Sequence, residues 1–177
     1  MTDPLTAPSS LHTPDQSPSP RPHRIQALIK LLVASLVVLS AAVIGNLATI
    51  PNIPVWYAGL VKPSFNPPNW IFGPVWSTLY AMMILSFWRI LLRQGMGLAV
   101  GVFIVKMVLN GFWSVAFFGM HDIALGLWVI LVLEAVILLT IFLFARIDTI
   151  AAWLLAPYAL WVGFATILNA TILSLNP

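Results

Sequence analysis

The chain has 177 residues, of which 60% are apolar and only 7% are charged. A soluble domain carries roughly 25% charged residues, so this composition is typical of a membrane protein. The formal net charge of +3 is too small, and the basic residues are too scattered, for a nucleic-acid-binding surface. Cysteine is absent, which excludes disulfides and thiolate metal sites, and three scattered histidines (His12, His23 and His121) argue against a metal-dependent hydrolase.

The first 24 residues contain six prolines and many Ser, Thr and Asp residues. They lack the apolar side chains that build a core, so residues 1–24 are predicted to be a disordered tail. Nothing in the rest of the chain resembles an internal repeat or a separate domain. Residues 25–177 are therefore expected to form one transmembrane domain.

Five segments of the chain are long and apolar enough to cross a bilayer, which needs roughly 20 apolar residues. They are residues 25–50, 68–92, 96–118, 123–144 and 149–175. Asp122 and Asp148 precede the fourth and fifth segments and are predicted to be N-caps. The second to fourth connections are short, so neighbouring helices are expected to be antiparallel. The predicted fold class is an all-α membrane protein, a compact bundle of five transmembrane helices.

Basic residues fall mostly on one side of the predicted bundle. Lys62 lies on the side opposite the N-terminus, whereas six lie on the N-terminal side: Arg21, Arg24, Lys30, Arg89, Arg93 and Arg146. For insertion into an inner-type membrane, the positive-inside rule then places the N-terminal tail in the cytoplasm. The rule says less about an outer membrane, so the choice between inner and outer membrane stays open.

The first connection, residues 51–67, reads "PNIPVWYAGLVKPSFNP" and is rich in proline. Pro51, Pro54 and Pro63 are expected to stop the first helix, and Pro67 and Pro68 to begin the second. The segment "VWYAGL" could form one or two helical turns on the mouth of the bundle. A connection of this length is longer than most, and such loops are often functional.

Two of the predicted helices carry a distinctive set of side chains on one face. The sets are Lys106, Asn110, Trp113, Ser114 and Phe117 on the third span, and Trp161, Ala165 and Leu168 on the fifth. Facing each other, they would line an amphipathic cavity for a flat, largely apolar ligand with a few polar groups. The alternative is ordinary helix packing, with the Asn and Ser side chains hydrogen-bonded across the interface.

Lys106 and Glu134 are ionisable residues inside predicted spans, where charge is costly and usually functional. They lie within about one helical turn of each other in depth. This predicts either an ion pair between them or a Lys106 side chain that snorkels to the tail side. No further carboxylate or histidine lies at membrane depth, which argues against a proton-coupled transporter.

Gly97 and Gly101 form a small-x-x-x-small pattern at the start of the third span. Such a pattern lets two helices approach closely. It predicts a homodimer through the third helix.

Three segments carry a resemblance to a known family: "WYAGLVKPSFNPPNWIFGPVWSTLY", "LNGFWSVAFFG" and "LLAPYALWVGFATILNATI". From about residue 40 to its C-terminus, the chain resembles the TspO/translocator protein family, also called the tryptophan-rich sensory protein or peripheral benzodiazepine receptor family. The resemblance implies five helices, usually in a dimer. It also implies a pocket between the helices that binds tetrapyrroles such as protoporphyrin IX, without a covalent cofactor or a metal, and benzodiazepine- or isoquinoline-type ligands. The first loop would close over this pocket as a lid.

The resemblance also indicates which side chains meet the ligand. Trp70 and Trp161 match tryptophans that face bound ligand, and Tyr57 matches a pocket-facing residue at the base of the lid. The other matched positions are Asn110, Trp113, Phe117, Ala165 and Leu168.

Two features depart from the animal members of the family. Those members bind cholesterol and carry a tyrosine followed by a basic residue near the end of the fifth helix. Here Ala170 stands at the tyrosine position and no basic residue follows, which puts sterol recognition in doubt. Lys106 has no matching family role, and we hypothesise that it meets a porphyrin propionate.

Three functions remain after this reading. The first is a membrane-embedded binder and sensor of tetrapyrroles that regulates tetrapyrrole or stress responses. The second is a light- and oxygen-dependent porphyrin-degrading enzyme with Trp70 and Trp161 as the reacting side chains, although the sequence contains no familiar catalytic constellation. The third is a transporter of tetrapyrroles or lipids, which the absence of inverted repeats disfavours.

Overall fold

The computed structural model describes residues 21–177, with side chains from residue 23 onward. Its elements are α1 (Arg21–Thr49), α2 (Asn69–Arg93), α3 (Leu98–Ser114), α4 (Ile123–Ala145), α5 (Thr149–Trp153) and α6 (Ala156–Leu175). Five helical segments are long and apolar enough to span a membrane: His23–Tyr57, Asn69–Arg93, Leu98–Gly119, Ile123–Ala145 and Thr149–Leu175. The prediction of five spans is confirmed. Of the predicted tail, residues 21–24 belong to α1, and residues 1–20 lie outside the described residues.

Pro51 and Pro54 were expected to stop the first helix; its α-helical part does end at Thr49, just before them, but the helical span continues through both, and Pro63 lies beyond its end. A 3₁₀ turn (Ile50–Asn52) and a π-helical turn (Ile53–Tyr57) continue α1 directly. Pro51 and Pro54 each occupy the first residues of one of these turns, where a missing N–H costs little. The connection from the 3₁₀ turn to α2 is therefore helical as far as residue 59, and only residues 60–68 are irregular. We call residues 60–68 the lid.

The two predicted N-caps are confirmed. Asp122 accepts a hydrogen bond from the Leu125 N–H at 2.8 Å, at the start of α4. Asp148 accepts from the N–H groups of Ile150 and Ala151 at 2.9 and 3.2 Å, at the start of α5. These bonds satisfy donors that the first turn of a helix leaves without a partner.

The fifth predicted span is broken into two helices. The break lies at residues 154 and 155, between α5 and α6. Pro157 explains it, because a proline in the first turn of α6 lacks the N–H that would join the two helices.

The end of the bundle where α1 begins, which we call the tail end, is tightly closed. Phe103 stacks between Phe87 and Phe144, with ring centroids 4.1 and 5.7 Å away. The Trp88 indole N–H donates to the carbonyl of Ala27 at 2.9 Å and joins α2 to α1. These contacts fix the helices relative to one another at this end.

Asp148 also anchors the tail end through charge. Its Oδ2 lies 2.9 Å from Nε of both Arg89 and Arg93. Burial raises the pKa of the Asp148 carboxyl, but hydrogen bonds from Arg89 and from the Ala151 N–H, together with the two arginine charges, outweigh burial and hold this pKa below its usual range. Asp148 therefore joins α2 to the start of α5 as an ionised side chain.

Glycines bring α1 and α3 close together. A Cβ placed on Gly45 of α1 would lie 3.1 Å from the Ser114 Oγ, and one on Gly111 of α3 would lie 3.7 Å from the carbonyl oxygen of Ala41. By contrast, a Cβ on Gly101 would meet nothing within 4 Å, so this part of α3 has room for another helix. Dimerisation through α3 stays a prediction.

Candidate ligand-binding cavity

A cavity of about 690 Å³ lies in the half of the bundle nearer the lid, which we call the lid end. Its wall is built by α1, α2, α3 and α6, together with the π-helical turn Ile53–Tyr57 and a second π-helical turn, Val115–Gly119, that directly continues α3. Seven of the side chains predicted from the sequence line it: Tyr57, Trp113, Ser114, Phe117, Trp161, Ala165 and Leu168. The stripe of the fifth span and the lid-end part of the stripe of the third span therefore do face a common space.

Aromatic rings form much of this wall. Trp113 stacks on Phe117 with ring centroids 5.5 Å apart and planes 22° from parallel. Elsewhere in the wall, Trp161 and Phe72 pack edge to face, with ring centroids 5.9 Å apart. Rings held in these orientations offer flat apolar faces, against which a planar ligand can stack with little further loss of side-chain freedom.

The polar groups of the wall are neutral. Trp113 donates from its indole N–H to the Asn169 Oδ1 at 3.3 Å, and Asn169 donates in turn to the carbonyl of Ile123 at 3.0 Å. Hydroxyl groups come from Ser77, Tyr80 and other residues. Among the described residues that line the cavity, none is acidic, basic or a histidine. The wall can donate and accept hydrogen bonds, but it does not offer a charge.

Trp70 does not take the place that the family resemblance implies. It is 73% exposed and is not part of the cavity wall. Phe72, Trp76 and Tyr80 of the same helix line the cavity instead. They follow a spacing of four residues and share one face of α2, whereas Trp70 is turned about 120° from Trp76 around the axis. The spacing of these three aromatic residues was the signal in the sequence that could have identified them.

Asn110 lies outside the cavity wall as well. It is 4% exposed, and its Oδ1 accepts a hydrogen bond of 2.7 Å from the Tyr158 hydroxyl, which is fully buried. Tyr158 in turn packs against Trp76, with ring centroids 6.2 Å apart. Asn110 therefore supports the cavity wall through Tyr158 and Trp76.

The predicted ion pair between Lys106 and Glu134 is wrong, and so is the snorkelling alternative. Lys106 is fully buried; its Nζ lies 3.1 Å from the Met83 sulfur and 3.9 Å from the centre of the Phe103 ring. Glu134 keeps one buried carboxylate oxygen, Oε2, without a hydrogen-bond partner. Within residues 23–177, the ion pairs are those of Asp148 with two arginines.

Lys106 also does not line the cavity, so its hypothesised contact with a propionate is not supported. Its neighbours Phe103 and Met83 belong to the core that closes the tail end. The Lys106 side chain packs there as a long, largely apolar stem with an amine among rings.

The lid is held at both of its ends. Tyr57 donates from its hydroxyl to the Asn66 Oδ1 at 2.7 Å. Lys62 donates to the carbonyls of Tyr57 and Leu60, at 2.7 and 2.9 Å. The two bonds from Lys62 provide a partner for carbonyls that have none at the end of the helical connection.

At its other contact, the lid joins the C-terminal end of α6. The backbone N–H and carbonyl of Val61 exchange two hydrogen bonds of 3.0 Å with the side chain of Asn176. The ring of Phe65 meets the edge of Phe164 at 6.4 Å. The lid therefore bridges the first span and α6, which contribute Tyr57 and Leu168 to the cavity wall.

Comparison with known proteins places this fold and cavity in a family. The model of the TspO/MBR family matches residues 33–175. A tryptophan-rich protein TspO of Chlorobaculum tepidum is 44% identical over 126 residues, covering 69% of this chain and 80% of that protein. A tryptophan-rich protein TspO of Archaeoglobus fulgidus is 36% identical over 152 residues, covering 84% and 98%. The human translocator protein is 35% identical over 121 residues, covering 64% and 70%. The chain is therefore an integral, multi-pass membrane protein that belongs to the TspO/MBR family.

Proposed function

We propose that this protein binds a tetrapyrrole of the protoporphyrin IX type in the lid-end cavity and acts as a membrane-embedded sensor of it. The observation that carries the proposal is the cavity itself, about 690 Å³ in volume and walled by aromatic rings and neutral polar groups. Pockets for small molecules span roughly 300–1,000 Å³ and are mostly apolar with a few placed polar groups.

The chemistry of the wall also sets the orientation of such a ligand. A porphyrin has a flat apolar ring and, on one edge, two propionates. The ring would lie against the aromatic wall, to which Trp113 and Trp161 both belong, but a carboxylate in the depth of the cavity would lack a cationic partner. Burying an unpaired charge costs several kcal/mol. The propionate edge should therefore face an opening of the cavity. Benzodiazepine- and isoquinoline-type ligands, which are flat and uncharged, fit the same wall.

A sensor accounts for the wall better than an acid–base enzyme does. General acid–base catalysis needs a titratable side chain within hydrogen-bond reach of the reacting atoms. The described wall residues provide none apart from the phenols of Tyr57 and Tyr80. A relative in Cereibacter sphaeroides is named a tryptophan-rich sensory protein.

Light-driven degradation of the porphyrin is the second candidate. Trp113 and Trp161 favour it, because both rings stand in the wall where an excited porphyrin would touch them. A bound photosensitiser supplies most of the reactivity of such a process itself. The two candidates share a site and differ in what happens under illumination.

The test is a titration of the detergent-solubilised chain with protoporphyrin IX in darkness, followed by tryptophan fluorescence. We expect saturable quenching, and about a tenfold or greater loss of affinity in Trp161→Ala, since stacking on an aromatic side chain contributes about 1–3 kcal/mol. Trp128→Ala is the matched control, because Trp128 is 70% exposed on α4 and lies outside the cavity. Lys106→Met should also leave the affinity unchanged.

Equal loss in Trp161→Ala and Trp128→Ala would show that the porphyrin does not occupy the cavity. A second arm repeats the titration under light and oxygen. Decay of the porphyrin absorption band only with wild-type tryptophans at positions 113 and 161 would favour the enzyme over the sensor.

A further inference from the structure

Asn46 has an unusual position on the first span. It lies 11 residues before Tyr57, the end of that span, which is roughly 16 Å along a helix. Its side chain is exposed, and the structure records no hydrogen bond between it and any other described residue. The amides of Asn52, Asn110 and Asn169, by contrast, are all hydrogen-bonded.

Asn46 also belongs to two separate spaces. It lines the internal cavity, and it lines a groove of about 280 Å³ on the outer face of α1, with Val43, Leu47, Ile50 and Pro51. Ile50, which is 62% exposed, is likewise shared by the groove and the cavity. The groove and the cavity therefore meet at these two side chains.

The helices on either side of this point leave a gap. On α2, the cavity is lined by Gly73, Ser77 and Ala81, which lie one turn apart and are exposed. At the tail end, the Trp88–Ala27 hydrogen bond holds α1 and α2 together. The two helices thus meet at the tail end, and towards the lid end the cavity lies between them with small side chains on the α2 edge. This edge opens towards the hydrocarbon of the bilayer.

An amide in that position is costly unless it has a partner. No water is available in the hydrocarbon core to hydrogen-bond a polar group, so unpaired polar side chains there are rare and usually functional. An asparagine side chain offers two donors and one acceptor, which match a carboxylic acid in its neutral, protonated form. The neutral form is the one required at this edge, because it carries no charge into the hydrocarbon. The next step rests on the proposed function. If a porphyrin occupies the cavity, the Asn46 amide lies where its propionate edge should emerge.

We propose that the cavity is entered from the bilayer, between α1 and α2, and that Asn46 recognises the carboxyl edge of the ligand at this lateral entrance. Ile50 forms the rim of the entrance. Specificity for a carboxylated porphyrin then comes from the neutral Asn46 amide at the membrane-facing edge. The deep wall of the cavity selects only for the shape and flatness of the ring.

The first arm of the test compares two porphyrins on the full chain in lipid nanodiscs. Protoporphyrin IX has carboxyl groups, and octaethylporphyrin has only alkyl groups. Asn46→Leu removes the amide at similar volume and should weaken protoporphyrin IX binding about fivefold to tenfold while leaving octaethylporphyrin unchanged. Equal changes for both ligands, or no change for either, would overturn the role of Asn46.

The second arm measures the dissociation rate of bound protoporphyrin IX after an excess of a benzodiazepine-type competitor is added. Ile50→Trp should slow dissociation several-fold, because a larger ring narrows the entrance. Leu36→Trp is the control, since Leu36 is 71% exposed on the same helix and touches neither space. Equal dissociation rates in wild type and Ile50→Trp would refute the lateral entrance. A different outcome would contradict the proposed function itself: no saturable binding of either porphyrin to the wild type.

Discussion

The hydrogen bond between Tyr158 and Asn110 gives the sharpest test of how the cavity is supported. The perturbation is a double-mutant cycle of Tyr158→Phe, Asn110→Leu and both together. If Asn110 only supports the wall, these substitutions should lower stability and change ligand affinity little. A ligand-binding Asn110, as the family resemblance implies, would show the opposite pattern.

The expected loss of stability follows from the burial of the Tyr158 hydroxyl and the Asn110 amide. Tyr158 is 0% exposed, Asn110 is 4% exposed and the bond is 2.7 Å long. Removing one partner leaves the other buried without a partner, which costs about 1–3 kcal/mol, whereas removing both costs less than the sum. Hydrogen bonds between membrane helices couple by about 0.6 kcal/mol on average and up to about 1.7 kcal/mol. We expect a coupling near the upper value, since both groups are excluded from lipid and water.

The assay is thermal unfolding of the detergent-solubilised variants, with a dark porphyrin titration of each. Additive losses of stability in the double variant would show that the two groups do not interact. A tenfold or greater loss of affinity in Asn110→Leu, with an unchanged unfolding temperature, would refute the reasoning and return Asn110 to the binding site.

Two further predictions concern stability. Gly126→Ala should destabilise the fold, because the new Cβ would lie 3.0 Å from the Phe117 ring. Gly163→Ala should stabilise the fold by up to about 1 kcal/mol, because its new Cβ would have nothing within 4 Å. Thermal unfolding of the two variants compares them directly. Asp148→Asn should lower stability at neutral pH by about 1 kcal/mol or more, through the lost pairing with Arg89. The folded state holds the pKa of Asp148 below its unfolded value of about 3.9. The stability that the Asp148 carboxylate contributes is therefore complete above that pH and is lost as the pH falls through the folded pKa. An Asp148→Asn variant whose stability fell as steeply in acid as that of the wild type would contradict this account.

The sequence was sufficient for the parts of the fold that depend on local chemistry. Spans of apolar residues set the five helices, and Asp122 and Asp148 marked two helix starts because a carboxylate before an apolar run satisfies free N–H groups. The stripes on α3 and α6 were predicted from helical spacing alone, and Trp113 and Trp161 do face one cavity.

The failed predictions all required knowledge of neighbours or of backbone detail. Pro51 and Pro54 are tolerated because the backbone changes to 3₁₀ and π geometry around them, which residue type does not reveal. Residue counting predicted a similar depth for Lys106 and Glu134, but depth does not fix the direction around a helix axis, and Lys106 points into rings. Trp70 was assigned by similarity of position, whereas the aromatic face of α2 passes through Phe72 and Trp76.

The persistence of an open cavity inside a packed bundle follows from where the helices are joined. A cavity between helices can narrow if its walls are free to move, because closer packing gains van der Waals contacts. At the tail end, the Phe103 stack and the Asp148 ion pairs hold the helices. At the lid end, Asn176 and the hydroxyl of Tyr57 hold the lid against α6 and the first span. Helices fixed at both ends cannot close the gap between them without breaking polar bonds, so the cavity stays open for a ligand to fill.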